Sequence, residues 1–267
     1  MEGDARRAVT GAAAGSGPDE AVVRKIIWRG LPPRGRSRVA AESHYVRVHV
    51  PLSRRFLMLD RAQVAYSTLR VRRQLDIAGG WNHPPAAWRF IIFLEDPSAP
   101  AAEWTEERVR LRRLLWDDNP FVIGESIRCE VHEEALVDRR SGQTSFAKAM
   151  LEFDRRPEIS PTEAETELRR RVKTLAQRGA MADGLRGMTV NWARRQQLQR
   201  LRDDGEYDLT DWASEGPKIA YLELLFDNAD WATQFLACDE LVDAVFSPTF
   251  AAAGAYLVDE RCEFDRR

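Results

Sequence analysis

Hydrophobic runs alternate with amphipathic stretches along the first half of the chain, and they predict the order strand, helix, strand, strand, helix, strand. The run at 88–94 is apolar at nearly every position, which is typical of a strand covered on both faces. A serine side chain caps free backbone N–H groups, so Ser37 is expected to begin the first helix. The predicted strands are 22–28, 62–76, 88–94 and 122–133, and the predicted helices are about 37–59 and 104–116.

The same order returns in the second half, with helix caps predicted at Ser160 and Asn228. Its predicted strands are 146–153, 185–193, 219–226 and 255–264, its helices are 161–178 and 228–243, and 196–217 is predicted to be a polar connection. The triplet Arg-Cys-Glu occurs at 128–130 and again at 261–263, in the fourth predicted strand of each half. A short match at an equivalent position favours an internal duplication.

Two such blocks in tandem indicate an α+β protein made of two ferredoxin-like β-α-β-β-α-β repeats. Each repeat is expected to cover one face of its sheet with helices and to leave the other, apolar face bare. Packing the bare faces sheet to sheet gives an intramolecular α+β barrel, and the short hydrophilic turn at 137–144 favours this over two separate domains. The predicted segments are a disordered tail at 1–20, a first half at 21–136 and a second half at 144–267.

Composition and motifs narrow the classes of function. Lys and Arg together number 40 against 42 Asp and Glu, so the chain lacks the basic surplus of a nucleic-acid or anionic-membrane binder. Three cysteines without a CxxC spacing argue against disulfides and structural zinc and favour the cytoplasm. No apolar run approaches the length of a membrane span, about 18 residues. No metal-binding or nucleotide-binding pattern is present, so we expect neither a metal nor a cofactor.

A histidine on an apolar helix face is the strongest candidate for chemistry. On a helix that turns about 100° per residue, His49 shares a face with Tyr45 and Leu52. His44 lies five residues earlier, roughly 140° round the helix, so the two histidines are not expected to be neighbouring ligands. Pro51 is expected to kink the helix near His49. On these residues alone, His49 is either a core histidine satisfied by a backbone carbonyl or a pocket histidine poised for proton transfer.

The segment from Tyr45 to Leu52 has an aromatic residue, three residues, His49, one residue and Pro-Leu, and Tyr66 lies on the following predicted strand. In this pattern the chain resembles the EthD-like proteins of the dimeric α+β barrel superfamily. The resemblance implies a cofactor-independent enzyme acting on hydrophobic, often aromatic or polyketide-like, substrates. All four histidines lie in the first half, so the resemblance also implies a degenerate second copy and a single complete pocket.

The resemblance favours His49 as a general base in an apolar pocket. Tyr66 is expected to donate a hydrogen bond to His49 or to a substrate enolate, the alternative being a core aromatic residue. His83, in a loop, and His132, at a strand end, are interpreted as a loop residue and a partner in a surface ion pair. The residues expected to bind substrate are Tyr45, Arg70, Trp88 and His44.

The leading functional hypothesis is a lyase or isomerase, such as a dehydratase, cyclase or decarboxylase, acting on a hydrophobic carbonyl compound. Its alternatives are a cofactorless monooxygenase of the same barrel class and a non-catalytic protein that binds a hydrophobic ligand or assists a partner enzyme. Haem binding through a histidine, which occurs in related barrels, is a further possibility. The expected partner is a hydrophobic small molecule, and the expected assembly is a monomeric pseudo-dimer or a homodimer.

Overall fold

The computed structural model describes residues 23–33, 35–75, 87–140, 146–179, 184–202, 207–238 and 247–267. The predicted tail at 1–20, the loop with His83 and the end of the predicted helix 228–243 lie outside the described residues. Within these ranges, no helix combines the length and the apolar composition that a membrane crossing needs. The three cysteines are free thiols.

The first half has the predicted order of strands and helices. Two of its helices begin after a residue whose side chain accepts a hydrogen bond from a backbone N–H of the first turn. Ser37 caps the first helix as predicted, because its side chain accepts a hydrogen bond from the Ala40 backbone N–H. Thr105 caps the last helix through the Arg108 N–H. The elements are β1 (Arg24–Gly30), α1 (Arg38–His44), a π-helical segment (Tyr45–His49), α2 (Val50–Met58), β2 (Gln63–Leu75), β3 (Arg89–Glu95), α3 (Glu106–Val122) and β4 (Ser126–Asp138).

The second half follows the same order with one added strand. The caps predicted at Ser160 and Asn228 are confirmed, since each side chain accepts a hydrogen bond from a backbone N–H in the first turn of its helix. The elements are β5 (Ala147–Arg155), α4 (Pro161–Gly179), β6 (Leu185–Leu201), β7 (Tyr207–Leu209), β8 (Lys218–Phe226), α5 (Ala229–Ala237) and β9 (Phe250–Asp265).

The prediction that 196–217 is a polar connection is wrong in its first part, because β6 continues to Leu201. This polar stretch remains a strand because β6 pairs along its length with β4, with Gln199 opposite Ser126. The amide of Gln196 is buried and donates to the Lys218 carbonyl, 2.7 Å away. Amide side chains that find backbone partners can occupy a strand that composition assigns to a loop.

The strands form one sheet that closes on itself. Their order is β4-β1-β3-β2-β9-β5-β8-β6, and a further pairing of β6 with β4 completes an eight-stranded barrel, with β7 attached beside β6. Every pairing is antiparallel. The pairs β2–β9 and β4–β6 join the two halves, so the chain is an α+β barrel whose halves share a single hydrogen-bonded sheet.

The two faces of this sheet bury different cores. The inside of the barrel is filled from the strands of both halves, with Phe90, Met150 and Tyr256 among its fully buried members. The helices lie outside, where α4 and α5 cover the second half and the α1–π–α2 segment and α3 cover the first. The prediction that 88–94 is covered on both faces is confirmed for residues 88–92, which are all buried. Strand β8 is covered in the same way.

Charged side chains lie at both ends of the barrel interior, and they are paired with opposite charges. At the end where β1 and β5 begin, Glu223 accepts hydrogen bonds from Lys25 at 2.6 Å and from Lys148 at 2.7 Å. At the other end, Glu152 accepts a hydrogen bond from Arg29 at 2.9 Å. Burial raises the pKa of Glu223, but the two ammonium groups outweigh burial and hold that pKa below its usual range.

Glu223→Gln should destabilise the protein by about 3 kcal/mol at neutral pH, because two buried ammonium groups lose their shared carboxylate. The folded-state pKa of Glu223 is lowered, so its contribution is complete above the ordinary glutamate pKa of 4.5 and is lost as pH falls through the lowered value. The gap between wild type and variant should therefore shrink below pH 4.5. Urea unfolding from pH 7 to pH 2 measures it, with exposed Glu103→Gln as the control. A gap that does not change with pH would contradict this assignment.

Candidate functional site

The turn between α1 and α2 is π-helical, and it changes which residues share a face. A π segment closes its hydrogen bonds between residues five apart, and Val50 N–H accordingly donates to the Tyr45 carbonyl. His44 and His49 are five residues apart, so this turn brings onto one side two rings that an α-helix would separate. The prediction that the two histidines diverge is therefore wrong. Pro51, which the sequence places at a kink, lies at the first turn of α2, just after the π segment.

Asp118 joins the two histidines. Its Oδ1 lies 2.6 Å from His44 Nε2 and its Oδ2 lies 2.8 Å from His49 Nδ1. Burial raises the pKa of Asp118, but the hydrogen bonds from His49 and His44 outweigh burial and hold that pKa below its usual value. The carboxylate is therefore ionised at neutral pH and orients both imidazole rings.

The sequence did not identify Asp118 because the predicted helix stops at residue 116. The run Asp117-Asp118-Asn119-Pro120 has the composition of a turn, yet α3 continues through Pro120 to Val122. No local sequence spacing links the two residues, because Asp118 is 69 residues from His49 and meets it only in the folded structure.

Tyr45 lies at the centre of an aromatic cluster on the outer face of the sheet. Its ring stacks on His49 with centroids 5.2 Å apart and meets the edge of Trp88 at 5.7 Å. The guanidinium of Arg89 lies over the same ring, 3.6 Å from its centroid. Tyr45 is fully buried and His49 is 3 % exposed, so the cluster is packed from every side.

The hydroxyl of Tyr66 lies 3.3 Å from the hydroxyl of Tyr45. The expected hydrogen bond from Tyr66 to His49 is therefore not formed, and Asp118 occupies the orienting position instead. Burial raises the pKa of Tyr66 well above its usual value, and burial also raises the pKa of Tyr45. Both phenols remain protonated at neutral pH, so either can donate a hydrogen bond.

An ion pair extends the cluster to the surface. Glu42 on α1 binds Arg89 and lies 3.5 Å from Arg70, whose side chain is 55 % exposed. The predicted substrate-binding residues Tyr45, Arg70, Trp88 and His44 thus lie in one continuous neighbourhood with His49 and Tyr66. Two buried donors in it, Trp88 Nε1 and Arg89 Nε, find no hydrogen-bond partner among the described residues, so they are available to an oxygen atom of a bound molecule.

Other candidates lie elsewhere. His132 is an exposed residue of β4 and takes no part in the cluster. In the second half, α4 presents Ala164, Leu168 and Val172 to the sheet and packs them into an apolar core. Among the described residues, no group of three or more His, Cys, Asp or Glu side chains is arranged to hold a metal ion.

No family model matches this sequence, and no curated protein matches it. A candidate monooxygenase from Fusobacterium nucleatum has a TM-score of 0.47 and 9% identity, covering 91% of this chain and 95% of that one. An anthrone oxidase-like protein has a TM-score of 0.47 and 9% identity over 92% and 95% of the two chains. A candidate monooxygenase from Lactobacillus acidophilus reaches 0.44 and 6% identity over 91% and 96%. At TM-scores below 0.5 these likenesses identify neither a family nor an activity.

Asp118→Ala should lower the free energy of unfolding by about 2 kcal/mol, because two ring nitrogens lose a charged acceptor in a buried place. Asp117→Ala, at the exposed neighbouring position, should change it by less than about 0.5 kcal/mol. Both substitutions raise helix propensity alike, so the difference between them isolates the histidine contacts. Urea unfolding measures both. Equal effects would mean that Asp118 does not hold the histidines.

Proposed function

We propose that this protein is a cofactor-independent lyase or isomerase that moves a proton on a carbon atom next to a carbonyl group. The observation that carries the proposal is the hydrogen bond of 2.8 Å between Asp118 Oδ2 and His49 Nδ1, inside a buried aromatic cluster. A carboxylate that accepts from Nδ1–H places the lone pair of the neutral imidazole on Nε2 and stabilises the imidazolium that forms after proton transfer. His49 is then a general base.

The surrounding groups suit an enolate intermediate. His49 Nε2 takes the proton from carbon, the electron pair of the C–H bond forms a carbon–carbon double bond, and the π pair of the carbonyl group moves to its oxygen. Trp88 Nε1 and Arg89 Nε are buried donors without partners among the described residues, so they can donate to that oxygen as its charge develops. The imidazolium returns the proton to another carbon in an isomerisation, or to a departing hydroxyl in a dehydration.

The apolar walls favour a hydrophobic substrate. Tyr45 and Trp88 lie beside the imidazole, and once this packing opens, their rings offer surfaces that suit aromatic or polyketide-like carbonyl compounds. Arg70, half-exposed at the edge, offers a cation to a polar substituent. Because His49 is 3 % exposed, substrate entry requires the α1–π–α2 segment to move away from the sheet. π-helical turns are frequent at functional sites.

We also infer that the chain arose from two ferredoxin-like repeats, divided near residues 136 and 144, and that its first half is EthD-like. Each half orders its strands as fourth, first, third and second, in β4-β1-β3-β2 and in β9-β5-β8-β6. The Arg-Cys-Glu triplets lie in the last strand of each half, β4 and β9. The histidines of the first half and the apolar face of α4 support a single acid–base site.

The two alternative functions, a monooxygenase and a non-catalytic binding protein, differ from the proposal in their use of dissolved oxygen and of proton transfer. A cofactorless monooxygenase would use the same base to form an enolate that reacts with dissolved oxygen. A non-catalytic ligand-binding protein would use neither proton transfer nor oxygen, and the tight packing around His49 is the observation that favours it.

Hydrogen–deuterium exchange next to a ketone carbonyl tests the proposal without knowledge of the natural substrate. A panel of aromatic ketones that begins with 2-tetralone is incubated with the protein in oxygen-free D₂O, and proton NMR follows the loss of the hydrogens next to the carbonyl. We expect catalysed exchange with at least one ketone. His49→Ala should slow it by about 10² to 10⁴-fold, the usual contribution of a positioned acid–base group.

His132→Ala is the matched control, since it removes an exposed histidine of the same half, and it should leave the exchange rate unchanged. Exchange that survives in His49→Ala, or no exchange with any ketone, would contradict the proposal. Ketone-dependent oxygen consumption in air would favour the monooxygenase.

A further inference from the structure

A cavity of about 1020 Å³ lies at the end of the barrel where β1 and β5 begin. Its apolar wall includes Ile92, Leu94 and Val258, and its polar residues include Lys25, Lys148 and Glu223. The residues around His49, which are Tyr45, Tyr66, Trp88, Arg89, His44 and Asp118 and are called the histidine cluster below, do not line it. The cavity is therefore a separate place in the molecule, on the opposite face of the sheet from His49.

The charged side chains of this cavity differ in how far they are exposed to solvent. Lys25 and Lys148, on β1 and β5, have side chains that are 13% and 10% exposed, and the side chain of Glu223 between them is 9% exposed. Each lysine has a second carboxylate partner, Glu133 at 2.5 Å and Glu260 at 2.6 Å. These two side chains are 52% and 36% exposed. Two buried ammonium groups thus share a single buried carboxylate, and the rest of their neutralisation comes from the rim.

The two carboxylates at the rim, Glu133 and Glu260, are partners that a bound anion can replace. An ion pair with a solvated carboxylate contributes little, because water competes for both charges. An anion held inside the cavity would meet both ammonium groups away from bulk water, where charge pairing is stronger. Burial lowers the pKa of Lys25 and Lys148, but the surrounding carboxylates outweigh it and raise both above the usual lysine value. Both lysines are cationic at neutral pH.

The use of lysine in the sequence points the same way. The chain has only four lysines, at positions 25, 148, 173 and 218, among 40 Lys and Arg residues in total. Three of the four, Lys25, Lys148 and Lys218, lie in the barrel interior, where each pairs with a buried carboxylate. Lys25 and Lys148 each occupy the second position of the first strand of their half, so the two halves contribute equivalent ammonium groups to one place.

We propose that this cavity binds a small organic anion, with its carboxylate or sulfonate head between Lys25 and Lys148 and an apolar body along Ile92, Leu94 and Val258. The head displaces Glu133 and Glu260 from the lysines and leaves Glu223 in place. The volume suits such a ligand, since pockets for small molecules measure about 300 to 1,000 Å³.

Calorimetric titration with three ten-carbon probes tests the charge requirement. Decanoate should bind with a Kd about tenfold or more below that of neutral decanamide, and decylammonium should bind more weakly than either. Equal affinity for decanoate and decanamide, or tighter binding of decylammonium, would overturn the proposal.

Removal of the competing carboxylates gives the sharper test. Glu133→Gln and Glu260→Gln should each tighten decanoate binding several-fold and leave decanamide binding unchanged. Glu158→Gln is the control, because this exposed residue follows β5 at the opposite end of the barrel. Unchanged decanoate binding in both rim variants would overturn the proposal. This test does not depend on the folding of variants in the barrel interior, such as Lys148→Met.

Lys148→Met should weaken decanoate binding about tenfold, the usual effect of one charged hydrogen bond, with its folding checked by circular dichroism. His49→Ala should leave decanoate binding as in the wild type, because the sheet separates the two sites. A loss of decanoate binding in His49→Ala would place the anion in the histidine cluster and overturn the proposal.

Discussion

Antiparallel pairing between the halves, β2 with β9 and β4 with β6, closes the sheet, and the rest of the molecule follows from that closure. A closed sheet has no free edge among its eight barrel strands and divides space into an inside and an outside. The inside can be reached only from the ends, so charges placed there, such as Glu223 and Lys25, must neutralise one another. The outside is left to the helices, which bring the histidines to the sheet.

The alternation of side chains along a strand then assigns neighbouring residues to different chemistry. Tyr66 points outward to Tyr45, whereas Ser67, the next residue of β2, lines the cavity inside the barrel. On β3, Ile91 belongs to the outer core and Ile92 to the inner one. A single layer of backbone therefore separates a cluster rich in aromatic rings from a cavity that contains two ammonium groups.

Local patterns predicted most of the strands and helices, because burial on one or both faces leaves a period that a sequence displays. The caps at Ser37, Ser160 and Asn228 were predictable for the same reason, since capping is a contact within one turn. The end of β6 was not, because amide side chains such as Gln196 satisfy themselves on a distant carbonyl. That Tyr45 and His49 share a face followed from helix periodicity, and Tyr66 was indicated by the family resemblance, whereas Asp118 depends on a contact between two helices. The meeting of His44 with His49 required a π turn, which leaves no mark in composition.

The distribution of lysine has a practical consequence for labelling. Of the four lysine side chains, Lys173 on α4 is exposed, whereas Lys25, Lys148 and Lys218 are held in ion pairs within the barrel. An amine-directed dye or crosslinker would therefore modify one lysine side chain of the folded protein, on a helix outside the barrel. Unfolding would expose the other three amines, so the extent of acylation would report directly on whether the barrel is closed.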